Sequence, residues 1–220
     1  MKKIAVSVLI LLVLTLATKS FAQTFSLRSG LNLSTMQFKD DQNESDILKL
    51  KPGFHVDALV EFPIAKNFSF ETGLLFSMKG TRIDEKLEAG NVTYHLKTRT
   101  TLMYLDIPLN AKTIFSVGQI KVYGTLGPYV GIGLAGKNKI EETINGEKTT
   151  ENVDAKWGKD GDLKRLDFGL AVGAGVEINA LLIGVNYGYG LANISSYTDG
   201  GLKMKNRVLG ISIGYKFAKK

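Results

Sequence analysis

The chain has 220 residues, with 28 Lys plus Arg against 21 Asp plus Glu, 24 Gly, 4 Pro, two His and no Cys. That is one domain's worth, and at 44% hydrophobic and 22% charged it is not a disordered polymer. The absence of Cys excludes disulfide scaffolds, Cys-ligated zinc and thiol catalysis, and His55 and His95 alone leave little for a metal centre. No cofactor is expected.

Lys2 and Lys3 form a positive start, Ile4 to Ala17 is an apolar run broken by Ser7 and Thr15, and Ser20-Phe21-Ala22 ends in small residues. This is the layout of a secretory signal peptide over 1–22, cleaved after Ala22, with residues 23–220 as the mature domain. The apolar run is too short for the roughly 20 residues of a membrane-spanning helix. Residue 23 is Gln, which closes the lipoprotein route. Removing 1–22 takes away three lysines and no acid, leaving 25 basic against 21 acidic residues. A net charge of +4 without a clustered basic face does not predict nucleic-acid binding.

From Gln23 onward the hydrophobic period is two. Leu166, Phe168, Leu170, Val172, Ala174, Val176 and Ile178 alternate with Arg165, Asp167, Gly169, Ala171, Gly173, Gly175 and Glu177. A helix cannot produce that split, and the run is long beside the usual strand of about 5 to 6 residues. Eight such runs are predicted, at about 24–37, 51–63, 67–83, 94–113, 119–135, 164–179, 181–191 and 206–218. Their links alternate short and long, which predicts an all-β, eight-stranded, antiparallel up-and-down transmembrane β-barrel of the bacterial outer membrane. Both termini and the short turns fall on the periplasmic side. Two long loops carry hairpin signals, Asn145-Gly146 between polar arms and Ala89-Gly90-Asn91, so some strands are expected to continue above the membrane. The remaining loops read as irregular and solvated.

In lipid the apolar face points out. Arg28, His55, Asp57, Glu61, Glu71, Asp106, Arg165, Asp167 and Glu177 then form an interior polar network, with Lys79, Lys121 and Lys216 also pointing in. Eight strands enclose a lumen that side chains can fill, so these charges are expected to pair and not to line a pore. Phe25, Phe62, Phe68, Phe70, Tyr215 and Phe217 map to one lipid interface; Phe54, Phe168, Tyr187 and Tyr189 map nearer the other.

Tyr104-Leu105-Asp106-Ile107-Pro108-Leu109 followed by Lys112, then Gly127-Pro128-Tyr129-Val130-Gly131-Ile132-Gly133, resembles the paired fourth and fifth strand motifs of PorT-like outer-membrane β-barrel proteins. The closing Gly214 to Phe217 is similar to that family's last strand, although Ala218-Lys219-Lys220 follow it here. The resemblance implies an eight-stranded barrel of the OmpA/OmpX type, inserted by the barrel assembly machinery. The family's named member serves a protein secretion and gliding apparatus. Pro108 and Pro128 cannot donate to a ladder, so each is expected at a bulge or a strand end.

The Gly-x-Gly units of 127–133 and 169–175 do not open a helix after a strand and do not predict phosphate binding. His95 with Asp84, Thr98 or Ser195-Ser196 would be the one acyl-transfer arrangement available at a rim, which leaves an envelope lipid enzyme as an alternative. Asp154 to Asp162 lacks calcium-loop spacing. Trp157, the one tryptophan, and the Asn145-Gly146 turn are candidate partner contacts. The function expected is non-enzymatic: a monomeric barrel in outer-membrane lipid and lipopolysaccharide, with loops that contact an envelope or extracellular protein. A narrow pore or solute gate is the alternative from the transport class.

Overall fold

The computed structural model describes residues 23–39, 44–45, 49–90, 92–158 and 161–217. The predicted leader at 1–22 and the residues at 218–220 lie outside the described residues. The described residues form ten strands: β1 (Thr24–Lys39), β2 (Glu44–Ser45), β3 (Lys51–Ala65), β4 (Phe68–Ala89), β5 (Val92–Val117), β6 (Ile120–Ile144), β7 (Glu147–Asp154), β8 (Leu166–Ile178), β9 (Leu181–Gly190) and β10 (Lys203–Phe217). Eight of them, β1, β3, β4, β5, β6, β8, β9 and β10, pair antiparallel with their neighbours in chain order. β1 then pairs with β10 from Phe25↔Phe217 to Lys39↔Lys203, which closes the wall. Closure leaves no open edge in the wall, the condition for a sheet in lipid.

The eight predicted runs match the eight wall strands, and the barrel is inside-out as expected. Leu31 is 69% exposed and Ile211 55%, whereas Asp167 is 0% and Glu177 2% exposed. The period of two forces this separation, because successive side chains point to opposite faces. Tight turns after β3, β5 and β8 share one end with the start of β1 and the end of β10. The aromatic residues expected there sit together: Phe62 lies 6.3 Å from Phe70, and Tyr215 lies 5.0 Å from Phe217.

At the other end β4, β5 and β6 run on past the wall, and β7 folds back on β6 through Asn145-Gly146. Asn145 and Gly146 have φ of 49° and 89°, the left-handed pair that a type I′ turn requires. The result is a four-stranded sheet, residues 81–89, 92–101, 136–144 and 147–154. The step from wall to sheet is marked by a bulge. Met103 pairs with Ala135 and Tyr104 with Gly133, so Leu134 is the extra residue.

Pro108 and Pro128 correct the expectation of a bulge or strand end. Both sit mid-strand with no register change. Pro108 keeps its pairing to Tyr129 while the β4 ladder skips from Thr72↔Leu109 to Leu75↔Asp106. Pro128 keeps its pairing to Leu170 while the β5 ladder skips from Pro108↔Tyr129 to Ala111↔Leu126. Each missing N–H thus faces a locally opened rung on one side only.

The long loops after β7 and β9 are not solvated, a second correction. Ala155, Leu163, Ala192 and Ile194 form a buried cluster with Met36, Leu102 and Tyr104, and Phe38, Trp157 and Met204 pack against it. Leu163 bridges to Trp157 and Ser195. Backbone N–H groups of Lys164, Ile194 and Ser196 donate to Ile194, Met204 and Asp162 at 2.8 to 3.1 Å. This cap lies over the long-loop mouth of the barrel.

Candidate functional site

The lumen holds two charged layers. In the short-turn half, β3 and β4 bring Glu61 and Glu71 opposite each other, a like-charged cross-strand pair that is unfavourable alone. Lys112 on β5 resolves it. Its Nζ lies 2.9 Å from Glu61, 2.9 Å from Glu177 and 3.6 Å from Glu71, and 4.6 Å above the Tyr123 ring. Lys216 adds contacts to Glu61 and Glu177 at 3.2 and 3.1 Å, and Ser69 donates to Glu61 at 2.9 Å. Arg28 ties this layer upward, 3.3 Å from both Asp57 and Glu71. His55 is the polar neighbour expected, with Nδ1 2.8 Å from Asn32 Oδ1.

In the long-loop half, Lys79 Nζ donates to Asp106 and Asp167, both at 3.0 Å, and lies within 4.7 Å of the Tyr104 and Tyr129 ring centres. Asn206 donates to Asp167 at 2.9 Å. Register places Gly131 directly between Asp106 and Asp167. A Cβ on Gly131 would sit 2.0 Å from Asp106 Oδ1, so only glycine leaves room for the carboxylate. Between the layers lie two voids of about 60 Å³, one lined by Arg28, Asp57 and Asn110 and one by His55, Asp106 and Tyr129. A void of that size has room for a few waters.

These contacts explain the strand motifs in physical terms. Tyr104, Asp106, Pro108 and Lys112 are the lumen face of β5, and Gly127, Tyr129, Gly131 and Gly133 that of β6. Arg28, His55, Asp57, Glu61, Glu71, Asp106, Asp167 and Glu177 are all brought into the network. Arg165 is not. β8 starts at Leu166, so Arg165 falls at the mouth, where it donates to the Gly133 carbonyl at 2.9 Å and lies over Trp157. Lys121 stays exposed at the short-turn rim. Lys112 joins the network although it is absent from the inward set expected from alternation. Counting even positions from Asp106 finds it.

Trp157 is turned inward. Its ring meets Tyr104 edge-on at 5.7 Å, and a Cβ on Gly133 would lie 2.3 Å from it. Asn145 and Gly146 stand exposed at the tip of the outer sheet. Asp84 and His95 do meet, at 2.7 Å, and that hydrogen bond holds the Asp84 carboxyl below the usual carboxylate range. Thr98 is on the opposite face of β5 from His95. Ser195 Oγ donates to the Tyr197 carbonyl at 2.7 Å and Ser196 Oγ to that of Gly158 at 2.9 Å, both within the cap. None of these three hydroxyls is thus placed beside the His95 imidazole; the residue directly opposite His95 in the ladder is Thr143.

Glu141 on the outer sheet accepts from Lys139 and Lys148, and these bonds hold its carboxyl at about 2. A carboxyl depressed on folding stabilises the fold fully above its unfolded value, near 4.5, and that contribution is lost as pH falls toward 2. Amide protection factors in the 139–152 hairpin are accordingly expected to fall between pH 4.5 and 2. The Glu141→Gln variant should lack that pH step; an identical step in both would assign it elsewhere.

No curated protein matches the chain. Among solved structures, Ail, the attachment invasion locus protein of Yersinia pestis, is similar at 18% identity over 88% of this chain and 98% of its own, with a TM-score of 0.36. Neisserial surface protein A is similar at 13% identity over 89% and 97%, with a TM-score of 0.39. The outer membrane protein OprG from Pseudomonas aeruginosa is similar at 14% identity over 90% and 98%, with a TM-score of 0.38. The model of the outer membrane protein β-barrel domain matches residues 21–196, most of the chain. A closed inside-out barrel with a polar, ion-paired lumen and a family match over that length lead to one conclusion: the chain belongs to the outer membrane protein β-barrel domain family.

Proposed function

We propose that the chain is a non-enzymatic, non-conducting barrel, exported by the leader at 1–22, whose outer sheet contacts an envelope or extracellular protein. The carrying observation is the β4–β7 sheet, which rises past the apolar wall and presents the exposed Asn145-Gly146 turn from a lumen already filled by its own side chains. A wall that closes on itself leaves no strand edge within the lipid for a second copy, which supports a monomer. The resemblance of the β5 and β6 motifs to PorT-like proteins makes a component of a secretion apparatus the first partner class to test.

The test is a photo-reactive residue at Asn145 in intact cells. A discrete protein adduct is expected, lost when residues 143–148 are replaced by a short turn while the unboiled protein still migrates as a folded barrel on a denaturing gel. No adduct at Asn145, or an equal adduct from a buried lumen position such as Ser77, would end this reading.

A further inference from the structure

The outer sheet separates its charges by face. On the side that continues the lumen face, Glu85, Glu142, Glu147 and Glu151 stand without a single Lys or Arg among them. On the side that continues the lipid face, bases dominate, and they are aligned. Lys49 bridges Arg82, Arg82 pairs with Arg99, and Arg99 pairs with Lys139. With strands about 4.8 Å apart, four cations span roughly 14 Å in one cross-strand row. Lys137 lies one alternation below it.

Like charges directly opposite each other weaken a sheet unless something neutralises them. Within the protein the neutralisation is partial. Lys139 pairs with Glu141, which also binds Lys148, and Asp84 binds His95. Lys49 reaches the backbone carbonyl of Asp84 at 3.1 Å. Neither Arg82 nor Arg99 has a carboxylate within ion-pair distance among the described residues, and Arg82 Nε is buried with no acceptor.

The position of the row selects the anion. The last apolar pair on the outward face is Met78↔Met103, four residues below Arg82 and Arg99. At about 3.3 Å per residue and a tilt near 40°, the row stands about 10 Å above that pair. The headgroup layer reaches roughly 5 to 8 Å beyond the hydrocarbon, so the row's backbone stands just above it, and long Arg and Lys stems on the outward face can lower their charged ends to its outer edge. Guanidinium binds phosphate in a two-pronged geometry that a lysine cannot reproduce.

We infer that the Lys49–Arg82–Arg99–Lys139 row, with Lys137 below it, is a binding site for the phosphate groups of outer-leaflet lipid headgroups. It requires that the sheet stand outside the membrane but does not require the protein partner proposed above. The row would anchor the base of the sheet and hold the barrel at a fixed depth.

Native mass spectrometry of the full chain in detergent tests it, with diphosphorylated lipid A, phosphatidylcholine and inorganic phosphate as separate probes. Retention of diphosphorylated lipid A is expected in the wild-type protein and should fall tenfold or more in Arg82→Gln/Arg99→Gln. The Lys/Lys variant should fall between them, because it keeps charge and loses the fork. Equal retention by the Gln/Gln protein overturns the site, and so does equal retention of phosphatidylcholine, whose one phosphate is neutralised by its own choline and gives a row of cations no net anionic charge to bind. Full competition by inorganic phosphate at matched concentration would assign the row to a free anion and overturn the lipid. A heat-dependent gel shift confirms that each variant is folded; should the double variant not fold, the exposed Arg99→Gln alone is expected to lower retention severalfold. The lipid result and the Asn145 adduct are separate readouts, so either proposal can fail without the other.

Discussion

Replacing Lys112 by Met is expected to destabilise the barrel by about 3 to 5 kcal/mol, read as a lower urea midpoint at unchanged slope. The side chain is 2% exposed and lies within 3.6 Å of three carboxylates. Deleting the cation leaves Glu61 and Glu177 to share Lys216, and Glu71 to share Arg28 with Asp57, four buried acids against two cations. The loss comes from uncompensated charge and not from the intrinsic strength of the pairs, so neutralising the acids together with the lysine should recover much of it. A midpoint shift below about 1 kcal/mol for Lys112→Met would mean that water reaches the layer and the lumen is not filled there.

In planar bilayers the purified protein is expected to show no steady open level. Two ionic layers cross the lumen, each held by a lysine between carboxylates and stacked against tyrosine rings, and the voids between them are about 60 Å³. Trp157→Ala should loosen the cap yet remain silent, because both layers lie beneath it. Stable single-channel steps from the wild-type chain would overturn the sealed lumen and restore the pore reading.

Both expectations rest on residues whose inward direction is legible from alternation. Glu61, Glu71, Asp106, Asp167 and Glu177 stand at lumen positions of long period-two runs, and in a lipid-embedded barrel such residues have to be paired. Which cations hold them is not legible in the same way. Lys79 and Lys112 meet acids 27 to 88 residues away in sequence, and only closure of the wall brings those strands across the lumen from one another. Arg165 reads as inward by the same alternation, yet the strand ends one residue short of it.

The chain itself therefore determined the class of fold, the number of wall strands, the lipid-facing and lumen-facing sets, and the Asn145-Gly146 turn. These follow from local rules: the period of the strand, the positive φ that turn residues accept, and the demand of lipid for a closed sheet. The tertiary structure decided what those rules do not reach. It turned Trp157 into a cap residue, folded two loops into a buried cluster with Leu102 and Tyr104, let Pro108 and Pro128 open single rungs without a bulge, and aligned Lys49, Arg82, Arg99 and Lys139 in one row. Each of these depends on the register between strands distant in sequence. Register is set by the whole closed wall and by no segment of it alone.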